Sequence, residues 1–190
     1  MGTIDEFNIS PVGLISKEFL NHGVQTFHEA CLFVQSLPYK RNTDKENPKI
    51  IFFDKCGTCS TKHALLKQLC MEQEIDNIKL VIGLFEMNGI NTPQILDTLT
   101  KYNLKYIPEA HTYLKCHNQY FDFTKAGSSP IDFVDYLLFE KEILPKQINE
   151  YKVRLHQDYL RKWLDADTAI NLSFDEIWDV REQCILDLSR

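Results

Sequence analysis

No apolar stretch in the chain approaches the length of a membrane span, and the first residues lack the basic-then-apolar pattern of a secretory signal. A cluster of basic residues is missing too. Lysines and arginines are scattered and the formal net charge is −6, which argues against a phosphate-binding surface and so against nucleic acid or membrane as partner. There is no internal repeat, no low-complexity tract and no obvious interdomain linker. What is present is 190 residues, 44% of them hydrophobic, enough to bury one substantial core as a single domain over 1–190. Without an export signal, Cys31, Cys56, Cys59, Cys70, Cys116 and Cys184 are expected to be reduced thiols in a cytoplasmic protein.

Residues 1–14 read as irregular, and apolar spacing predicts one or two helices over 16–36, with a break at Gly23. Pro38 ends that segment, and the charged, turn-rich run 40–48 reads as a surface loop. Ile50 to Phe53 form a strand-like apolar run leading into an amphipathic helix from Cys59 to about Gln73. A strand is predicted over Leu80–Phe85, ending at Asn88-Gly89. Thr92-Pro93 reads as an N-cap with proline at the first helical position, opening a helix that carries Ile95, Leu96, Leu99 and Tyr102. A hairpin is then expected, with strands His111–Leu114 and Gln119–Thr124 and a turn near His117-Asn118. The core spans about 16–130. The remainder, about 131–190, reads as a helical extension, with Tyr151, Leu155, Tyr159 and Trp163 on one face and a capping box at Ser173–Glu176.

Chemistry concentrates at Cys59. A short Gly57-Thr58 turn precedes it, and the first turn of a helix offers unpaired N–H groups and partial positive charge, which favour thiolate over thiol. The same groups can hold an oxyanion when a carbonyl is attacked. A nucleophilic thiol needs a base and the base needs an orienting partner; the hairpin offers His111 and, on its second strand, Asp122. Two other readings use the same cysteine. Cys56-Gly57-Thr58-Cys59 before a helix, with Ile107-Pro108 ahead of a strand, is also the pattern of a thioredoxin-like redox pair. Cys56, Cys59, Cys116 and His117 are zinc-ligand types without finger-like spacing. His63, one turn after Cys59, is a further histidine near the thiol, more simply read as satisfied locally.

Gly57-Thr58-Cys59 with Ala64-Leu65-Leu66, His111-Thr112-Tyr113-Leu114, and Tyr120-Phe121-Asp122-Phe123-Thr124 follow one another in an order that resembles the transglutaminase-like superfamily of papain-fold cysteine enzymes. The upstream helix, Leu37-Pro38-Tyr39 and the polar loop fit as well, so the likeness covers roughly residues 20–125. It implies an α+β, papain-like fold in which the cysteine-bearing helix packs on a small antiparallel sheet, with C-terminal helices added. It implies Cys59 as nucleophile, His111 as general base and Asp122 as the group orienting the imidazole. The activity implied is hydrolysis or acyl transfer at amide or ester bonds of a peptide, protein or small substrate, with no cofactor and no metal. A non-enzymatic interaction domain on the same fold is the other possibility within that family.

Overall fold

In the computed structural model, which describes residues 3–188, the strand expected at 80–85 extends to an eleven-residue β1 (Ile78–Asn88). It lies inside a four-stranded antiparallel sheet of order β3-β2-β1-β4, with β2 (Tyr106–Cys116), β3 (Gln119–Phe121) and β4 (Leu137–Ile143). Side chains alternate across a strand, and both faces of this sheet are covered. Leu80, Ile82, Leu84, Ala110 and Leu114 enter one core, while Val81, Phe85, Met87, Ile107 and Tyr113 enter the other. Gly83 pairs with His111, and a Cβ there would come within 2.8 Å of the Tyr113 ring, so glycine is what lets that ring cross β1.

The first core is built by α1 (Leu14–Asn21), α2 (Phe27–Ser36), α3 (Ile50–Asp54) and α4 (Cys59–Glu72). Gly23 separates α1 from α2, as its position between two apolar runs suggests. α4 departs from the amphipathic expectation: Cys59 through Lys67, with Leu69 and Cys70, are all buried. A helix enclosed on every side is a central element, and its polar residues must find partners inside the protein. At its far end the Glu72 carboxylate accepts from the backbone N–H groups of Ile15 and Ser16 at 2.8 and 2.7 Å, capping α1 at the end where a negative charge is favoured.

Three further expectations are corrected. The run at 50–53 is helical: Asn47 accepts from Lys49 N–H through its side chain and from Ile50 N–H through its carbonyl, so a turn starts there and no strand pairs with it. Residues 131–190 are not all helical, since Leu137–Ile143 pairs with β1 as β4; the sheet therefore runs past residue 130. Thr92 does not cap through its side chain, which donates to Asn91 instead, although Pro93 does open the turn before α5 (Leu96–Lys101). The hairpin turn falls as expected at His117-Asn118, both left-handed. α6 (Glu150–Ala166) and α7 (Phe174–Asp187) complete the chain, and Ser173 and Glu176 cap α7 reciprocally. Among the described residues no helix is long and apolar enough to cross a membrane.

α7 is tied to the sheet by a fork: Arg181 donates to Glu109 Oε2 at 2.8 Å and Oε1 at 2.6 Å, with both side chains largely buried. Burial pushes the Glu109 carboxyl up, but the Arg181 guanidinium outweighs it and holds the group down to about 2. Breaking a buried pair strands the remaining charge. Arg181→Met is therefore expected to cost about 3–5 kcal/mol in urea unfolding. Glu142→Gln, at the exposed Lys79–Glu142 pair, should cost less than about 1 kcal/mol.

Candidate active site

The start of α4 is fixed from both sides. Gly57 N–H donates to Pro38 O at 3.1 Å and Lys40 N–H donates to Gly57 O at 3.2 Å, which fastens Tyr39 beside the turn. A Cβ at Gly57 would lie 3.0 Å from Thr61 Oγ1 and Lys62 Cγ, too close for a residue other than glycine without movement. Thr58 then caps the helix in a reciprocal box with Thr61. Cys59 is left at the first helical position, where a backbone N–H has no partner within the helix.

His111 and Asp122 come together as expected, but by a different local geometry. His111 sits in the middle of β2 instead of opening a strand, and Asp122 lies one residue beyond the three-residue β3 instead of within it. β3 ends because Asp122 Oδ1 accepts from the Thr124 N–H at 2.9 Å and from the Thr124 hydroxyl, turning the chain out of the sheet. Asp122 Oδ2 then accepts from His111 Nε2 at 3.0 Å. Nε2 being occupied, Nδ1 is the nitrogen left for the thiol, and Cys59 lies near enough to the His111 ring that each shifts the other's protonation. Phe133 packs against that ring at 4.9 Å between centroids, so the imidazole is held by apolar contact as well as by its carboxylate.

His63 proves to be a brace. It accepts from the Phe123 N–H at Nε2, 2.8 Å away, so Nδ1 carries the proton and donates to Cys59 O at 2.8 Å. Burial holds this imidazole down to about 4, and it stays neutral. Lys62, also fully buried, donates to Leu37 O and to Thr124 O, the latter at 2.7 Å. Two consecutive side chains of α4 thus hold the Asp122 turn and the segment before Tyr39.

One group at the thiol carried no signal in the sequence. Lys152, ninety-three residues after Cys59, reaches in from α6. Its ammonium is 3.9 Å from Cys59 Sγ and donates to Ser60 Oγ at 2.7 Å and Thr112 Oγ1 at 3.1 Å. α6 tracks β2 beyond this point, where His156 donates to Pro108 O and Trp163 to the Tyr106 hydroxyl. The only trace at the level of sequence is a lysine beside the Tyr151–Leu155 apolar stripe, a common feature of any half-buried helix. Burial pushes the Cys59 thiol up. Lys152 and then His111 outweigh that burial and bring the thiol below its ordinary value. Burial pushes His111 down, but Asp122 and then Cys59 carry it well above its ordinary value. These directions favour the thiolate at Cys59 and the charged imidazole at His111, with the Asp122 carboxyl held well below its usual range by His111.

Cys59 faces a cleft with two lobes. The larger, about 740 Å³, has Tyr39, Lys45, Lys152, Trp178 and Arg181 among its walls. The smaller, about 270 Å³, is bounded by Phe85, Met87, Pro93, His111 and Asp122. Cys56 is buried and lines neither lobe. The zinc-type residues do not assemble: Cys116 and His117 stand with Asp5, their ligand atoms within 4.8 Å, and among the described residues this metal-capable group includes neither Cys56 nor Cys59.

The chain is thus a mixed α+β protein with a buried cysteine and aspartate and a partly buried histidine at a cleft. Comparison with protein-family models, curated proteins and solved structures gives no match.

A depressed thiol should show in alkylation kinetics. The rate of iodoacetamide labelling of Cys59 is expected to titrate well below the value of about 8.5 for an ordinary cysteine. Removing the neighbouring cation in Lys152→Gln removes favourable charge from the thiolate, so the midpoint should rise by about 1–3 pH units. An unmoved midpoint would show that Lys152 does not act on the sulfur.

Proposed function

We propose that the protein is a cysteine hydrolase or acyltransferase acting on amide or ester bonds, of the transglutaminase-like, papain-fold type. The observation that carries this reading is the His111–Asp122 pair, hydrogen-bonded at 3.0 Å, whose imidazole is electrostatically coupled to a Cys59 that opens onto the cleft. The Cys59 thiolate attacks the substrate carbonyl carbon and the C=O electron pair moves onto oxygen. The Cys59 N–H, at the start of α4, is the donor best placed for that oxyanion. On collapse the C–N or C–O bond breaks, and the His111 imidazolium gives its proton to the leaving nitrogen or oxygen. A thioester remains. Water or an amine then attacks it, His111 takes the incoming proton, and the C–S bond breaks to regenerate the thiolate. Asp122 keeps the imidazole oriented and stabilises its charged form. Cys59, His111 and Asp122 need no cofactor for these steps.

The test is a panel of activated esters, peptide amides and amine acceptors, read by intact mass and product release. Wild type should accumulate an acyl adduct on Cys59 that hydroxylamine removes. Cys59→Ala should form none, and His111→Ala should lose about 10²–10⁴ in turnover. Absence of any adduct across the panel, together with reversible formation of a Cys56–Cys59 disulfide, would overturn this reading in favour of the redox one.

A further inference from the structure

The larger lobe has a charge imbalance that the acyl-transfer chemistry uses only in part. Its walls carry five cationic side chains, Lys40, Arg41, Lys45, Lys152 and Arg181, against two carboxylates, Glu109 and Glu182. Both carboxylates are already engaged. Glu109 takes the Arg181 fork, and Glu182 accepts from Arg41 at 2.7 Å and from Arg181 as well. Lys152 already faces the Cys59 sulfur, and among the described residues neither Lys40 nor Lys45 forms a salt bridge with a carboxylate. The loop that brings Lys45 and Arg41 here is no free surface segment. Asn42 donates to Asp54 and to Cys56 O and accepts from the Thr61 hydroxyl, while Thr43 donates to Asp54, so the loop is anchored to the start of α4. Ile148, Val153 and Trp178 supply apolar walls, which reduce screening of the charges they surround. The ammonium of Lys45 is itself held below its ordinary value, by partial desolvation and then by Lys152 and Arg41.

A chain of net charge −6 has thus gathered a surplus of positive charge on one side of Cys59. We infer that the larger lobe binds an anionic group, a carboxylate or a phosphate, carried by the substrate a few bonds from the carbonyl that Cys59 attacks. Lys45 holds that group as a point charge, Lys152 being shared between it and the thiolate, and the smaller lobe, with Phe85, Met87 and Pro93, takes the apolar part. The word substrate rests on the acyl-transfer reading; the anion site does not.

Iodoacetate and iodoacetamide separate the two, because both alkylate a thiolate and only the first carries a carboxylate. Relative to N-acetylcysteine amide, Cys59 should prefer iodoacetate by about tenfold at low salt. The preference should fall several-fold at about 0.5 M NaCl, where the screening length shortens, and should also fall in Lys45→Gln. Succinate and inorganic phosphate, each added against iodoacetamide labelling, tell the two anions apart: slower labelling with one names the group. An iodoacetate preference equal to that of the free thiol, or one untouched by salt and by Lys45→Gln, overturns the proposal, as does labelling unaffected by either anion. A strong preference without any acyl adduct would keep the anion site and end the acyl-transfer reading. An adduct with no preference would do the reverse.

Discussion

Two polar side chains that cannot reach water organise this molecule. Lys62 and His63 lie fully buried on α4, and an unpaired donor or acceptor in that setting costs on the order of 1–3 kcal/mol, more for a charge. Their partners are therefore obligatory, and those partners are backbone groups of chain segments far away in sequence: Leu37 O, Thr124 O and the Phe123 N–H. Satisfying the helix and placing the site are one requirement. The same bonds that neutralise the cost of burying Lys62 and His63 hold the Asp122 turn against β2 and the Tyr39 segment against Gly57. Burial moves Lys62 down to about 8 and keeps His63 neutral, so the brace works through oriented hydrogen bonds more than through charge.

The electrostatics of the site close as a group of four. Cys59 and Asp122, both shifted toward their anionic forms, face His111, shifted toward its cationic form, and the Lys152 ammonium. In a poorly hydrated cluster the neutral sum matters more than any single pair, because an uncompensated charge bears its full desolvation cost. This is why α6 belongs to the site and is no mere appendage. Without Lys152 the group carries a net negative charge, and the thiol is the member that relieves it most readily by taking a proton.

Much of this was legible in the residues. Gly57-Thr58 before Cys59 announces a capped helix start, because few residues other than glycine fit so near Thr61 and a threonine hydroxyl is a natural cap. His111 and Asp122 could be brought together from the hairpin alone, since His117-Asn118 marks its turn. The strand at 137–143 was hidden because its Glu140, Lys141 and Glu142 resemble the charged face of a helix. It is an edge strand, and Glu140 accepts there from Tyr113, Lys115 and Tyr120. The helix at 50–54 was hidden because four apolar residues in a row fit either period. Lys152 was beyond reach for a deeper reason. Its role depends on how α6 lies along β2, and nothing local to the helix encodes that.

The shortness of β3 is what makes a site possible at all. Had Asp122 and Phe123 continued the ladder, the edge of β2 beyond Leu114 would be paired, and the Thr112 N–H would be taken by a neighbouring strand. Instead β3 stops at Phe121, the last register pair being Leu114 with Phe121. Asp122 spends its oxygens on Thr124 and His111. The vacated edge leaves the Thr112 hydroxyl to Lys152 and Ser60, and the Pro108 carbonyl to His156. An unpaired strand edge is ordinarily a liability. Here Cys59 and Lys152 gather at that edge, so groups of the candidate site are also the ones that protect the sheet.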